Sequence, residues 1–129
     1  MVIKIKSGYQ VKTTKMIIAR EFTFDSAHKL DWHKGKCKNL HGHTYKLQVS
    51  VKGNLSEQGI VIDFEIIDKI VKEKVIDLLD HRLLNEIIPN PTAENISIWI
   101  WDKLKDNLKG LCEIKLWETQ KSFVTYSGE

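Results

Sequence analysis

The chain holds only two cysteines and two prolines, and no long apolar run. Cys37 and Cys112 are too few and too far apart for a disulfide framework, and a reducing compartment would keep both as thiols. No stretch approaches the 18 or so consecutive apolar residues of a membrane span, and no charged-then-apolar leader precedes the first strand. A cytoplasmic protein with no membrane partner is expected. An excess of one charge is also missing. Twenty basic residues face 17 acidic ones, for a formal charge of +3, and the lysines are scattered, which argues against a nucleic-acid partner and suits a small anionic ligand. With 129 residues, 42% of them hydrophobic, and no low-complexity tract, the chain fits one domain. Residues 1–15 read as an N-terminal arm or extra edge strand, and 16–129 as a single domain.

What is present is concentrated in residues 37–45, CKNLHGHTY. Side chains of an extended chain alternate between faces, so His41 and His43 project to one side roughly 7 Å apart along the backbone. Zinc takes imidazole nitrogen, and a catalytic zinc usually has three protein ligands and one open position. In MIIAREFTFDSAH, residues 16–28, Phe22, Phe24, Ser26 and His28 share one face of an extended segment. Tyr45, Leu47, Val49 and Val51 alternate with Lys46, Gln48, Ser50 and Lys52, the pattern of a half-buried strand with His43 on its apolar side. Antiparallel pairing of the two strands would unite His28, His41 and His43 and place Cys37 beside the metal in the connecting loop. His33 reads as a loop residue.

Further along, Gly53 to Gly59 suits a turn. Asp63 is a candidate N-cap for a helix whose apolar stripe is Phe64, Ile67, Ile70, Val71, Val75 and Leu78, ending near Asp80 and His81. Thr92 is placed to cap a second helix with Ile96, Trp99, Ile100, Leu104 and Leu108 on one face and Gly110 as its stop. Residues 111–118 and 121–127 read as strands joined at Thr119 and Gln120, with Cys112 a core thiol beside Ile114 and Leu116. Trp99, Trp101 and Trp117 are read as core or subunit contacts. The order strand, strand, helix, helix, strand, strand predicts an α+β fold, an antiparallel sheet covered on one face by two helices.

Together FDSAH ending at His28, CKNLHGHTY, VIDFEII at 61–67, LLDHRLLN at 78–85, NPTAEN at 90–95, the late WET and the terminal TYSGE resemble the 6-pyruvoyl-tetrahydropterin synthase and 6-carboxytetrahydropterin synthase family. The resemblance implies the tunnelling fold: a four-stranded antiparallel sheet with two helices on one face, joined into a barrel in a trimer or hexamer with intersubunit active sites. It implies Zn2+ held by His28, His41 and His43, catalytic roles for Cys37, Asp80 and His81, a pterin-anchoring Glu118, and Thr92 and Glu94 lining the same pocket. The substrate implied is 7,8-dihydroneopterin triphosphate. The three-residue gap between Cys37 and His41 is similar to that of the carboxy branch, which releases triphosphate and acetaldehyde to leave 6-carboxy-5,6,7,8-tetrahydropterin on a route to deazapurine (queuosine-type) nucleosides. The alternatives are 6-pyruvoyl-tetrahydropterin synthase, acting on the same substrate, and a non-catalytic zinc-containing pterin-binding protein.

Overall fold

A computed structural model describes residues 2–6, 9–12 and 14–129, with side chains from Thr14 onward. At the N-terminus β1 (Val2–Lys6) and β2 (Tyr9–Lys12) pair antiparallel as a sheet of their own. The main sheet is organised around two 14-residue strands, β3 (Lys15–His28) and β4 (His41–Asn54), paired antiparallel along their whole length from Lys15↔Asn54 to His28↔His41. Both are rich in β-branched and aromatic residues at alternate positions, which favours a pleated, half-buried surface. The sheet continues through β6 (Leu111–Thr119) to β7 (Ser122–Tyr126), joined by a turn at Gln120 and Lys121, one residue beyond the expected place.

The expected four antiparallel strands become a five-stranded mixed sheet. β5 (Arg82–Leu83) lies parallel to β3 opposite Ser26 and Ala27, giving the order β5-β3-β4-β6-β7. Two residues cannot display a period of two, so no pattern announces this strand. It exists because the chain doubles back sharply after the helical segment, with His81 in the left-handed region at φ 58°.

Helices α1 (Phe64–Val71), α2 (Asp77–Leu79) and α3 (Ala93–Leu104) cover one face of the sheet. Asp63 caps α1, its carboxylate accepting the Glu65 N–H at 2.9 Å, and the Thr92 hydroxyl oxygen caps α3 by accepting the Asn95 N–H at 3.1 Å. Between α1 and α2 the helix widens into a π-helical turn, Lys72–Ile76. Ile67, Val71, Val75 and Leu79 are buried; the wider turn re-phases the face that follows it, so Leu79 is buried and Leu78, expected in the stripe, is exposed, while Phe64, also expected there, is exposed in the first turn of α1. α3 stops at Leu104, short of Gly110. That glycine instead makes the turn into β6 at φ 86°, where an added Cβ would run into the Lys52 carbonyl.

The core joins Phe24, Tyr45, Leu47, Val49, Ile114 and Leu116 of the sheet to Ile67, Val71, Val75, Leu79, Ile96, Ile100 and Leu104 of the helical layer. Leu47→Ala, at a fully buried site, is expected to cost about 2–5 kcal/mol in urea unfolding. Cys112 is not part of this core. A bulge opposite Ser50 and Val51 breaks the alternation, packs Leu111 against the core and leaves Cys112 half-buried, its thiol donating to the Ser50 carbonyl. Trp99 and Trp101 are half-buried against the core, whereas Trp117 sits on the other face with the Lys46 ammonium 4.0 Å above its ring.

Candidate functional site

The register of β3 on β4 decides the centre of the site. His28 lies opposite His41, and His43 opposite Ser26, so all three imidazoles project toward one another. A ligating nitrogen from each falls within 4.8 Å of the others. His28 is 1% exposed, and its Nδ1 meets the Pro91 carbonyl at 2.8 Å. His41 Nδ1 meets the Asn39 carbonyl at 2.6 Å. A carbonyl can only accept, so each Nδ1 carries a proton, and the neutral form of each ring is the tautomer with its lone pair on Nε2.

Those two Nε2 atoms lie 3.1 Å apart. Two ligands of a tetrahedral zinc at ~2.05 Å would stand about 3.3 Å apart, close to this separation. The Nε2 of His43 is buried and has no hydrogen-bond partner among the described residues. Burial, which outweighs the nearby Glu118 carboxylate, pushes the His43 imidazole down toward its neutral form, and the two neighbouring histidines add to the effect. Three converging imidazoles, two of them with Nδ1 held by backbone carbonyls so that Nε2 is the atom turned inward, form a donor set that fits a divalent cation. Tyr45, buried directly behind them, is pushed up by burial and keeps its phenolic proton.

Beside this group lies a cavity of about 350 Å³ lined by Cys37, Thr92, Glu94 and Glu118, together with His33 and Phe123. Cys37 stands in a short 3₁₀ turn, Lys36–Lys38, of the loop joining β3 to β4, and its carbonyl accepts the Leu30 N–H at 2.9 Å. Thr92 and Glu94 come from the start of α3. Glu118 comes from the end of β6, and its Oε1 lies 3.8 Å from His43 Nε2, which links the cavity to the histidine group. Four of the residues named from the sequence therefore share one wall system. His33, expected as a plain loop residue, is half-buried in it and accepts the Gly35 N–H on Nδ1 at 2.8 Å.

Asp80 and His81 pair with each other, Nδ1 to Oδ2 at 3.0 Å, which leaves His81 Nε2 without a bonded partner among the described residues, on a side chain 79% exposed. His81 lines a different cavity, of about 530 Å³, with Asp25, Thr44 and Arg82 among its walls and none of Cys37, Thr92, Glu94 or Glu118. Within one chain the pair is thus not brought to the cysteine.

The pair is held by Asp25, which the sequence did not single out. The Asp25 N–H donates to Asp80 Oδ1 at 2.9 Å, its carbonyl accepts the His81 N–H at 2.6 Å, and its carboxylate accepts from the Thr44 hydroxyl at 2.5 Å. The N–H of Asp25, followed by the imidazole of His81, holds the Asp80 carboxyl below the usual carboxylate range. Parity already put Asp25 on the face opposite His28, but only the strand register brings Thr44 against it.

Residues 17–129 match the model of a family described as 6-pyruvoyl tetrahydropterin synthase. The chain is 41% identical to a 6-carboxy-5,6,7,8-tetrahydropterin synthase of Haemophilus influenzae over 84% of this chain and 96% of that protein. It is also 41% identical to a 6-pyruvoyl tetrahydrobiopterin synthase of Dictyostelium discoideum, over 88% of this chain and 97% of that protein. The solved 6-pyruvoyl tetrahydropterin synthase of Caenorhabditis elegans superposes with a TM-score of 0.83 at 28% identity, covering 92% of this chain and 99% of that one.

Proposed function

Because the chain belongs to the 6-pyruvoyl tetrahydropterin synthase family, we propose that it is a zinc-dependent lyase converting 7,8-dihydroneopterin triphosphate to 6-carboxy-5,6,7,8-tetrahydropterin, with release of triphosphate and acetaldehyde. The observation that carries this reading is the convergence of His28, His41 and His43, with the His43 Nε2 lacking a hydrogen-bond partner among the described residues, next to a cavity holding both a thiol and carboxylates. In this reading the three histidines hold the zinc. When bound, the ion supplies Lewis acidity toward the hydroxyls of the substrate side chain.

The chain's own residues divide the remaining work. The Glu118 carboxylate accepts two hydrogen bonds from the guanidine-like edge of the pterin, and Thr92 and Glu94 border the same ring. Cys37, as thiolate, takes a proton from the side chain. The second acid/base group is His81, whose free Nε2 is aimed outward by Asp80. Because His81 lies outside the Cys37 cavity of its own chain, it serves a neighbouring copy in a homo-oligomer, a trimer or hexamer whose sheets join into a barrel. The largely uncovered edge of β3 and the edge of β7 would make that join.

The carboxy product rests on the three-residue gap between Cys37 and His41, since relatives with either product name are equally similar to the chain. Zinc-loaded protein incubated with 7,8-dihydroneopterin triphosphate is expected to yield the 6-carboxy product and acetaldehyde, identified by mass. A 6-pyruvoyl product would move the chain to the other branch. Bound zinc and pterin without turnover would make it a binding protein.

A further inference from the structure

Trp32 stands out because it is large, apolar and 61% exposed, and yet is not loose. It lines the same cavity as Cys37, Glu94 and Glu118. Its indole N–H donates to Asn90 Oδ1 at 2.6 Å. Asn90 is itself fixed in a left-handed conformation at φ 49°, its carbonyl accepting from the Thr92 N–H at 2.8 Å and from the Asn95 amide at 2.9 Å. On its own side Trp32 belongs to a closed loop, in which the Leu30 N–H donates to the Cys37 carbonyl and the His33 N–H to the Leu30 carbonyl, both at 2.9 Å. The indole therefore bridges the two segments that supply Cys37 on one side and Thr92 and Glu94 on the other.

An indole whose single polar atom is already bonded has only its ring face to offer a ligand. Holding that face rigid at the rim of a cavity removes in advance the ordering cost of a flexible wall. The carboxylates of Glu94 and Glu118 suit the N–H-bearing edge of a heterocycle, and Phe123, 54% exposed, adds a second aromatic surface to the same cavity. Two acids and two aromatics around one cavity match a flat bicyclic ring with a donor edge better than a sugar or an aliphatic chain.

On the pterin reading of this cavity, we infer that Trp32 is a specificity-determining residue whose indole stacks on the substrate's planar ring and selects for it. The test is calorimetric titration of zinc-loaded protein with neopterin, comparing the unaltered chain with Trp32→Ala, Trp32→Phe and Glu118→Gln. Thermal melts accompany each variant; Trp32→Ala and Trp32→Phe both lose the bond to Asn90 and are expected to melt alike, so a difference in affinity between them reports the ring and not the tether. Loss of a stacked aromatic should weaken binding about tenfold or more in Trp32→Ala, while Trp32→Phe, which keeps a ring without the indole N–H, should stay within about threefold. Binding by Trp32→Phe as weak as that of Trp32→Ala would show that the indole acts only as a tether to Asn90 and would overturn the stacking role. Neopterin affinity lost in Glu118→Gln but unaltered in Trp32→Ala would overturn this inference alone. No neopterin binding by the unaltered chain would remove the pterin reading and the inference with it.

Discussion

Cys37→Ala is expected to lower kcat on 7,8-dihydroneopterin triphosphate by about 100- to 10,000-fold, the range for loss of a general base, while leaving zinc content and folding intact. The separation follows from where Cys37 sits. It is half-buried in the turn before β4, outside the hydrophobic core and outside the histidine group, so its removal creates no core cavity and takes away no metal donor. Steady-state kinetics and metal analysis on the same preparation check both halves. Unchanged turnover would dismiss Cys37 as the base, and loss of zinc with activity would make it a metal ligand instead.

His43→Ala is expected to abolish turnover by emptying the zinc site. Three donors leave one position open for substrate, and two are too few for tight binding. His43 is also the member whose buried Nε2 has no hydrogen-bond partner among the described residues, its nearest carboxylate, Glu118, standing 3.8 Å away, so a metal would give that nitrogen its missing partner. The measurement is zinc stoichiometry after dialysis, about one per chain falling toward zero. A variant that retained full zinc would rule out the three-histidine site.

The same histidine makes the metal-free protein acid-sensitive. Its folded-state value is lowered below the ordinary 6.5, chiefly by burial, so below pH 6.5 the unfolded chain binds more protons than the folded one. Stability should therefore be level with respect to this group above pH 6.5. It should decline as pH falls from 6.5 toward the depressed folded value, a decline absent in His43→Ala. Urea midpoints of the metal-free chain across that range provide the check.

Much of the histidine site was legible because it depends on one-dimensional regularities. His41 and His43 are two apart in a strand, His28 closes another strand on its apolar parity, and hydrophobic alternation fixes which face both present. The helix starts were legible for a similar reason, since Asp63 and Thr92 act on amides only two or three residues away. Less local features were not. The π-helical turn that buries Leu79 in place of Leu78, the bulge that removes Cys112 from the core and the two-residue strand β5 each interrupt a period rather than display one.

Local order along the chain thus determined the two-layer α+β arrangement and the identity of the candidate metal donors, because alternation and capping act over a few residues and leave a pattern behind, while the family was legible in the resemblance of its ordered motifs. Tertiary structure alone decided how those residues are held and which of them meet. It supplied the carbonyls of Pro91 and Asn39 that set two imidazole tautomers, and the Asp25 peptide that clasps Asp80 and His81. It also placed Cys37 and His81 in separate cavities of one chain. Those contacts join residues that are mostly dozens of positions apart, and such pairings are fixed by strand register and sheet face, which exist only once the chain has folded.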